Sequence, residues 1–305
     1  MSGSVVRGSS TAIIRTQRSS VHYYQRPDDA ITVDTGATAL GGLALGLSAD
    51  KVAGVVRGGV GDQDAWVDSW GTVYCDRCAR GGPAMRLSPS WNVLVNVGAD
   101  PKRRISPSLA AIYTTADEGR SLLWRVRPYV RVRPSTRVNV ELGTRYQRNQ
   151  DNTQWLANVG VIGADTTHYL FGHLAQDLLS FTGRVDVTLR PTVSLQLYVE
   201  PFVTAGHFTN VRELADPRAA DYDARYRPYT GPVPSGDFNE KSFNTSAVAR
   251  WEYRPGSTLF VVWTQGRFQD DRDIGSFAAR RDYGNLFAAR PDNVFLVKAS
   301  YWMGR

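Results

Sequence analysis

The sequence predicts an all-β fold, an antiparallel up-and-down transmembrane β-barrel of about sixteen strands. The prediction depends on runs of about ten residues in which apolar and polar side chains alternate. It also depends on tight turns that contain proline and on an aromatic-rich last strand. The longest apolar stretch, at residues 36–47, is too short and too rich in glycine for a membrane-spanning helix. If the chain lies in a membrane, we expect it to do so as a barrel.

The clearest strand pair lies between Phe181 and Val203. Apolar side chains occupy alternate positions on both sides of Pro191, and polar residues fill most positions between them. Because successive side chains of a strand point to opposite faces, each strand has one apolar and one polar face. Proline fixes φ and suits a tight turn, so the segment is predicted to be a β-hairpin. The apolar positions are Phe181, Val185, Val187, Leu189, Val193, Leu195, Leu197, Val199 and Val203.

Two further segments repeat this pattern. One spans Leu122–Leu142 with a turn at Pro134, and the other spans Ala249–Trp263 with a turn at Pro255. A strand of about ten residues, tilted by about 45°, rises roughly 23 Å, which is close to the height of the apolar band of an outer-membrane barrel. Strands of soluble β-proteins are usually about five or six residues long. The pattern favours the barrel, and a soluble all-β protein is the alternative.

The other candidate strands differ in strength along the chain. Strand signals are weak in residues 1–79, and clearer candidates follow at residues 91–97, 109–113, 155–162 and 168–174. The turns at Pro191 and Pro255 are short, whereas the connections Ala205–Lys241 and Arg267–Asp292 are long and polar. Short turns on one side and long loops on the other are typical of outer-membrane barrels. No segment predicts a convincing amphipathic helix.

The last strand, Val294 to Met303, is rich in aromatic residues. Phe295, Val297 and Tyr301 fall on one face, and Lys298 falls on the other. Four tryptophans at or near strand ends, or within lipid-facing runs, are consistent with the aromatic girdle of a membrane barrel. They are Trp124, Trp251, Trp263 and Trp302.

The net charge of +7 comes mostly from arginine. A nucleic-acid-binding module would cluster these side chains on a helix or beside stacking aromatics, whereas many of them here occupy alternate positions of strands. The pattern predicts a basic lumen that favours anionic solutes, and it argues against nucleic acid as a partner. Glu141, Asp186 and Glu200 are candidate ion-pair partners inside the lumen. The basic row consists of Arg125, Arg127, Arg131, Arg133 and Arg184.

Cys75 and Cys78 are spaced C-x-x-C. A zinc ribbon needs a second such pair, and a thioredoxin-like site needs a βαβ unit, and the sequence has neither. The spacing favours a disulfide in a loop, in an oxidising compartment, with two unpaired thiols as the alternative.

No motif predicts an enzyme, a cofactor or a metal site. The histidines are scattered, and the local arrangement that a hydrolase embedded in the barrel could use is His168 or His173 with Ser180. That alternative stays open because catalytic triads are defined by geometry and not by sequence order. The segment Gln269–Asp273 offers oxygen ligands but lacks the glycine and the closing glutamate of a calcium loop, which favours a solvated loop.

The long loop between residues 205 and 241 is the candidate ligand-binding segment. Tyrosines flanked by carboxylates and arginines can stack on sugars and hydrogen-bond to them, so the loop predicts contact with glycans. The alternative is a loop packed on its own side chains over the barrel mouth. The candidate ligand-binding residues are Asp221, Tyr222, Asp223, Tyr226 and Tyr229.

The N-terminus does not have the apolar core or the cleavage site of a signal peptide. An outer-membrane protein needs one to cross the inner membrane. We therefore expect one of two things. Either the chain is a fragment or a mature form of a longer protein and holds only part of the barrel, or the barrel interpretation is wrong.

Six segments resemble the C-terminal region of a family of uncharacterised bacterial envelope proteins. In that family a sugar-binding β-sandwich, similar to family-9 carbohydrate-binding modules, precedes an outer-membrane β-barrel-like domain of unknown function. The resemblance implies a barrel over residues 80–303, looser similarity before it, localisation to the cell outer membrane, and insertion by the barrel-assembly machinery. The segments are RGGPAM (80–85), YQRNQDNTQW (146–155), SLQLYVEPF (194–202), PRAADYDARY (217–226), DFNEKSFNTSAVARWEYRPGSTLFVVWTQ (237–265) and PDNVFLVKASYW (291–302).

These observations predict a surface pore or receptor in the outer membrane, working with carbohydrate binding or uptake. The expected partners are outer-membrane lipid and either glycans or anionic solutes. A soluble all-β binding or structural protein is the first alternative, and a hydrolase embedded in a barrel is the second.

Overall fold

The computed structural model describes residues 71–160, 167–272 and 274–303 in full. For residues 6–7, 11–13, 23–25, 38–40, 43–45, 53–57 and 63–70 it describes the strands without their side chains. Where the strand signals of the sequence were weak, before residue 63, the structure describes only these short strands, and the residues between them lie outside the described residues.

The described residues form an all-β structure with one α-helix, α1 (Ala279–Ala288), and short 3-10 turns at Asp117–Gly119 and Asp223–Arg225. The strands are β1 (Val6–Arg7), β2 (Thr11–Ile13), β3 (Tyr23–Gln25), β4 (Thr38–Leu40), β5 (Leu43–Leu45), β6 (Ala53–Arg57), β7 (Gln63–Trp70), β8 (Val73–Cys75), β9 (Met85–Leu87), β10 (Ser90–Gly98), β11 (Ile105–Ala116), β12 (Ser121–Ser135), β13 (Val138–Val159), β14 (His168–Arg190), β15 (Val193–Leu214), β16 (Tyr226–Pro228), β17 (Phe238–Arg254), β18 (Ser257–Asp270) and β19 (Asp292–Ser300).

Most of these strands form one antiparallel sheet. It has 14 strands in the order β1-β2-β6-β7-β10-β11-β12-β13-β14-β15-β17-β18-β19, with β16 paired to β15. Successive strands from β10 to β15, and again from β17 to β19, pair as neighbours, so the predicted up-and-down antiparallel arrangement is confirmed. Among the described residues no pairing joins β1 to β19, and closure into a barrel remains a prediction.

The central strands are longer than the sequence predicted. β13, β14 and β15 have 22, 23 and 22 residues, and the runs expected at 155–162 and 168–174 are the distal parts of β13 and β14. A strand of this length, tilted by about 45°, rises roughly 50 Å, about twice the apolar band of a membrane barrel. Alternation is lost in the distal parts, which is why the sequence pattern placed strand ends too early.

The two ends of the sheet have unequal connections. Two-residue turns join β12 to β13, β14 to β15, and β17 to β18, and we call this the turn end. The opposite, loop end carries residues 71–89, 215–237 and 271–291. The predicted asymmetry is thus present, but the loops expected at Ala205–Lys241 and Arg267–Asp292 are shorter, because β15, β17 and β18 extend into them.

The strand register separates an apolar face from a polar face in the turn-end half. Paired residues point to the same side of a sheet, and Val140 pairs with Val185, Val185 with Leu197, and Leu197 with Ala247. Together with their neighbours these residues form the apolar face. It comprises Val130, Val132, Val140, Leu142, Val185, Val187, Leu195, Leu197, Val199, Ala247, Ala249, Val261, Trp263, Phe295 and Val297.

Helix α1 packs against the loop-end half of the sheet, on the side of the apolar face. The Tyr283 hydroxyl donates a hydrogen bond of 2.7 Å to the carbonyl oxygen of Leu179, and the rings of Phe243 and Phe287 lie 5.4 Å apart. Asp282 is fully buried and accepts a 2.7 Å hydrogen bond from the backbone N–H of Ala278. The expectation of no convincing helix was therefore wrong. The helix has only ten residues, and its larger apolar side chains, Tyr283, Leu286 and Phe287, are too few to give a clear helical period.

Candidate functional site

The polar face of the turn-end half carries the predicted basic row, and two of its arginines are paired with acids. Arg131 lies directly across the strands from Glu141, with 3.0 Å between Nε and Oε1, and Glu141 lies across from Arg184. Arg184 in turn lies 3.6 Å from Asp186. This row alternates positive and negative charge, as the lumen prediction required of Glu141 and Asp186.

The other predicted members of the basic row have different partners. Arg125 donates a 2.7 Å hydrogen bond to the side-chain oxygen of Gln147. Arg133 donates to the carbonyl oxygens of Pro101 and Arg103 at the turn end. Glu200, which was expected to pair with an arginine, instead accepts a 2.6 Å hydrogen bond from the Tyr198 hydroxyl.

A cleft of about 580 Å³ opens on the polar face between β10 and β15. Arg127 and Arg145 line it, together with the uncharged polar residues Tyr129, Ser180 and Thr182. The pairs Val126–Tyr146 and Tyr129–Gly143 flank the two arginines, so the register sets Arg127 opposite Arg145. Asn96, Ser108 and Glu200 complete the polar lining.

Gly143 creates the room for this cleft. It stands between Tyr129 and Thr182 in the register, where any side chain would project into the space beside Arg145. A Cβ at this position would lie 3.4 Å from Cδ2 of Tyr129 and 3.9 Å from Cβ of Thr182, which are ordinary contacts. Sequence reasoning missed this glycine, because a glycine in a strand has no alternation signal of its own.

The candidate ligand-binding tyrosines of the loop end do not form an open site. Tyr222 is fully buried and Tyr226 is 8% exposed, in a buried cluster with Ala79, Met85 and Phe171. The rings of Tyr222 and Tyr226 lie 5.5 Å apart, and burial raises the pKa of both hydroxyls. Neither ring can stack on a sugar in this structure, so the alternative of a loop packed on itself describes these two residues.

The remaining loop candidates lie at the surface. Asp221 accepts a 3.1 Å hydrogen bond from the backbone N–H of Asp223, and Asp223 lies 3.4 Å from Arg120. The Tyr229 ring lies 5.3 Å from that of His168. These three residues do not converge on one pocket with Tyr222 and Tyr226, and contact with glycans through them stays a prediction.

Segment 71–89, loop 215–228 and helix α1 cover the loop-end half of the sheet, and we call them the loop-end cover. Arg225 links the first two of these, a role that sequence reasoning did not predict. It is 2% exposed and donates hydrogen bonds of 3.0–3.1 Å to the carbonyl oxygens of Ala219 and Ala220 and to Ser88 Oγ. The bond to Ser88 ties loop 215–228 to the segment after β9. Cys75 and Cys78 lie before β9. The sequence favoured a loop disulfide between them, and the structure joins them by one.

The histidines do not assemble a hydrolytic site with Ser180. His168 pairs with Glu213, and His173 lies 3.3 Å from the side-chain oxygen of Asn152. Ser180 is on the same strand as both, and seven or more residues of extended chain separate it from them by roughly 23 Å or more. Burial alone would raise the pKa of Glu213, but hydrogen bonds from His168 and Arg227 outweigh it and lower that pKa.

Within the described residues no group of three or more His, Cys, Asp or Glu side chains could hold a metal ion. Two acids of the segment Gln269–Asp273 form ion pairs with basic side chains. Asp271 lies 2.6 Å from the fully buried Lys241, and Asp270 lies 3.1 Å from Arg272. The burial of Lys241 was not predicted, because the sequence analysis placed this residue at the end of a long polar connection.

No described helix has the length and apolar character needed to cross a membrane.

Comparison with known proteins gives one result that bears on the chain. A family model described as a domain of unknown function, DUF5916, matches residues 74–304. The range includes the cleft, loop 215–228, helix α1 and all six segments on which the sequence resemblance depends. The description assigns no catalytic activity. No curated protein matches the chain.

Proposed function

The chain belongs to the family described as a domain of unknown function, DUF5916, and for it we propose an outer-membrane β-barrel that acts as a surface pore or receptor for anionic solutes. The apolar face of the turn-end half would contact lipid, and the polar face would line the lumen. Barrel closure and membrane residence are part of the proposal.

The observation that carries the proposal is the exposure of the apolar face. Leu142, Leu195, Leu197 and Val261 each expose 40–52% of their surface, and Phe295 exposes 75%. Soluble monomers rarely expose contiguous apolar patches of more than a few hundred Å². A lipid environment removes this cost and also accounts for the alternation with charged residues on the opposite face.

A groove on the apolar face also supports contact with lipid. It has a volume of about 470 Å³ and is lined by side chains of the central strands that are almost all aliphatic or aromatic. The lining includes Val185, Val187, Leu195, Leu197 and Trp263. Hydrocarbon chains of lipid match such a surface, because it offers almost no hydrogen-bonding group.

Aromatic side chains lie toward both ends of the apolar face. Near the turn end, Trp251 and Tyr253 meet edge to face with ring centroids 6.0 Å apart, and Trp302 packs over Gly256. Toward the loop end, the ring centroids of Trp124 and Tyr146 lie 5.0 Å apart. Trp263 lies inside the face and not at its rim. Amphipathic rings at both rims are typical of the interfaces between membrane and water.

The exposure of the last strand, β19, supports its expected recognition by the barrel-assembly machinery. Every residue of β19 is exposed, and its apolar side chains include Val294, Phe295 and Val297. An exposed edge strand in water invites aggregation. We propose that β19 is the strand that the barrel-assembly machinery recognises before the sheet closes.

Ion selectivity tests the function directly. The full chain would be reconstituted into planar bilayers, and the reversal potential would be measured across a tenfold gradient of potassium chloride. The basic lumen predicts anion preference, because unpaired arginines lower the energy of an anion in the pore. Preference for potassium would contradict the proposed lumen, and the absence of any conductance would favour a receptor over a pore.

A further inference from the structure

We propose that the cleft around Arg127 and Arg145 is a binding site for a phosphorylated or carboxylated polyol, whose oxyanion contacts the two guanidinium groups. The inference deepens the proposed function and rests on it for the view that the polar face is the inner one. The site itself depends only on residues of β12, β13, β14 and β15.

The charge balance of two rows of the polar face points to this site. One row of the polar face reads Arg131, Glu141, Arg184, so each positive charge faces a negative one. Four positions further along each strand, beyond the row Tyr129, Gly143, Thr182, the row reads Arg127, Arg145, Ser180. Like charges directly opposite each other destabilise a sheet. The second row therefore costs stability that an oxyanion between the arginines would restore.

Neither arginine has an acid of its own. Within the described part of the chain, no carboxylate oxygen lies within 4.0 Å of the guanidinium of Arg127 or Arg145. The Nε of Arg145 is buried and has no hydrogen-bond partner. A buried donor without a partner is costly, and phosphate and carboxylate groups are the acceptors that match the planar fork of arginine.

Ser180 adds a neutral donor to the same row. It pairs with Arg145 in the register and is 5% exposed. Arg125 lies near enough to interact electrostatically with both Arg127 and Arg145. An oxyanion at this point would meet two guanidinium forks, one hydroxyl and a third positive charge nearby.

The rest of the cleft fits a hydroxyl-rich body. The space opened by Gly143 is bordered by the Tyr129 ring and the Thr182 hydroxyl, and Glu200 lies on the next strand beyond Thr182. Carboxylate and hydroxyl oxygens accept hydrogen bonds from hydroxyl groups, and an aromatic ring can pack on a sugar ring. A volume of about 580 Å³ lies within the range of small-molecule sites.

The test uses the purified full chain in detergent micelles, with inorganic phosphate and glucose 6-phosphate as probes in isothermal titration calorimetry. We expect saturable binding of both probes, tighter for glucose 6-phosphate. Arg145→Gln should weaken both by about tenfold or more, because it removes a charge-assisted hydrogen bond. Arg190→Gln is the matched control, since it removes the same charge from an exposed turn and should leave affinity within about twofold.

Gly143→Leu separates shape from charge. It fills the cleft without changing an ionisable group, and we expect it to remove glucose 6-phosphate binding while inorganic phosphate still binds. Thermal unfolding supplies a second readout. Phosphate should raise the Tm of the parent chain and not that of Arg145→Gln, and Arg145→Gln without phosphate should melt no lower than the parent because a repulsion is lost.

Three results would overturn the inference. These are no saturable binding of either probe to the parent chain, equal losses in Arg145→Gln and Arg190→Gln, or unchanged glucose 6-phosphate affinity in Gly143→Leu. Binding in micelles requires neither a closed pore nor insertion into a bilayer. A chain that binds phosphate but does not conduct ions would support the binding site and contradict the pore. A chain that conducts ions but does not bind phosphate would support the pore and contradict the binding site.

Discussion

The turn-end and loop-end halves of the sheet are built from the same strands but are covered differently. In the loop-end half, segment 71–89, loop 215–228 and helix α1 pack on the sheet and bury Tyr222, Arg225, Lys241 and Asp282. In the turn-end half no described segment packs on the apolar face, and its side chains are half-buried or exposed. The loop-end half thus carries its own protein cover, whereas no described segment covers the apolar face of the turn-end half.

The same contrast explains where charge is tolerated. Buried charges of the loop-end half are hydrogen-bonded or paired, as Arg225 and Lys241 are. On the polar face of the turn-end half, Arg127 and Arg145 face each other without an acid. A self-sufficient structure satisfies its buried polar groups. The pair Arg127 and Arg145, which has no acid, is instead typical of a surface that binds a ligand or an ion.

The largest effect is expected when the loop-end cover is broken. Arg225→Ala removes three hydrogen bonds and leaves two carbonyl groups and Ser88 without partners, so the free energy of unfolding should fall by about 3 kcal/mol or more. Urea titration of the full chain in detergent measures this change. Limited proteolysis should show new cleavage in loop 215–228 and none at the turns near Pro191 and Pro255.

Arg218→Ala is the matched control for that experiment. It removes an exposed arginine of the same loop whose side chain is not engaged with any described residue. We expect its unfolding free energy to lie within about 0.5 kcal/mol of the parent value. Equal effects of the two substitutions would mean that the loop is not held by Arg225.

A pH-dependent effect sharpens the comparison at the outer edge of the loop-end half. The hydrogen bond from Lys241 lowers the pKa of Asp271 below its ordinary value of 3.8. A carboxyl group whose pKa is lowered by folding stabilises the protein above its ordinary pKa, and that stabilisation is lost as the pH falls through the lowered value. The free energy of unfolding should therefore decline below pH 3.8, with part of the decline due to this pair.

Asp271→Asn isolates that contribution. The variant should be less stable than the parent near neutral pH, and its stability should fall less steeply on acidification below pH 3.8. Parallel acid titrations of the unfolding free energy in both proteins make the measurement. Curves of identical slope would show that the Lys241–Asp271 pair does not contribute.

The smallest effect is expected at the surface of the cover. Asp223 and Arg120 form an ion pair whose side chains are 72% and 36% exposed. Such pairs contribute about 0–1 kcal/mol, so Asp223→Asn should hardly change the urea midpoint. The variant also tests the predicted glycan contact. A loss of binding on a glycan array at unchanged stability would support a sugar site there, and unchanged binding would remove Asp223 from it.

Sequence periodicity was informative where one face of the sheet is uncovered. Val185, Leu195 and Leu197 alternate with polar residues because only their face is apolar, and the hairpin turns at Pro191 and Pro255 lie where predicted. Periodicity failed where both faces are covered or polar. The distal parts of β14 and β15, the helix that covers Lys241 and the burial of Tyr222 depend on contacts between distant segments, and no local pattern records these.

The candidate site was predictable only in part. Alternation identified the arginines as members of one face, but it could not tell Arg131, which faces Glu141, from Arg127, which faces Arg145. That distinction depends on strand register, and a shift of one residue would exchange the partners of every position. The role of Gly143 depends on the side chains across the sheet, and the sequence does not identify these.

The most direct test of the account is a charge placed on either face at adjacent positions. Leu197→Arg puts a guanidinium on the apolar face, and Gln196→Arg puts one on the polar face of the same strand. Folding into lipid vesicles would be followed by flotation and by urea titration. If lipid covers the apolar face, Leu197→Arg should cost about 2–4 kcal/mol in vesicles and Gln196→Arg less than about 1 kcal/mol. Equal stability of the two variants, or partition of the parent chain away from vesicles, would contradict the membrane barrel and favour a soluble β-protein.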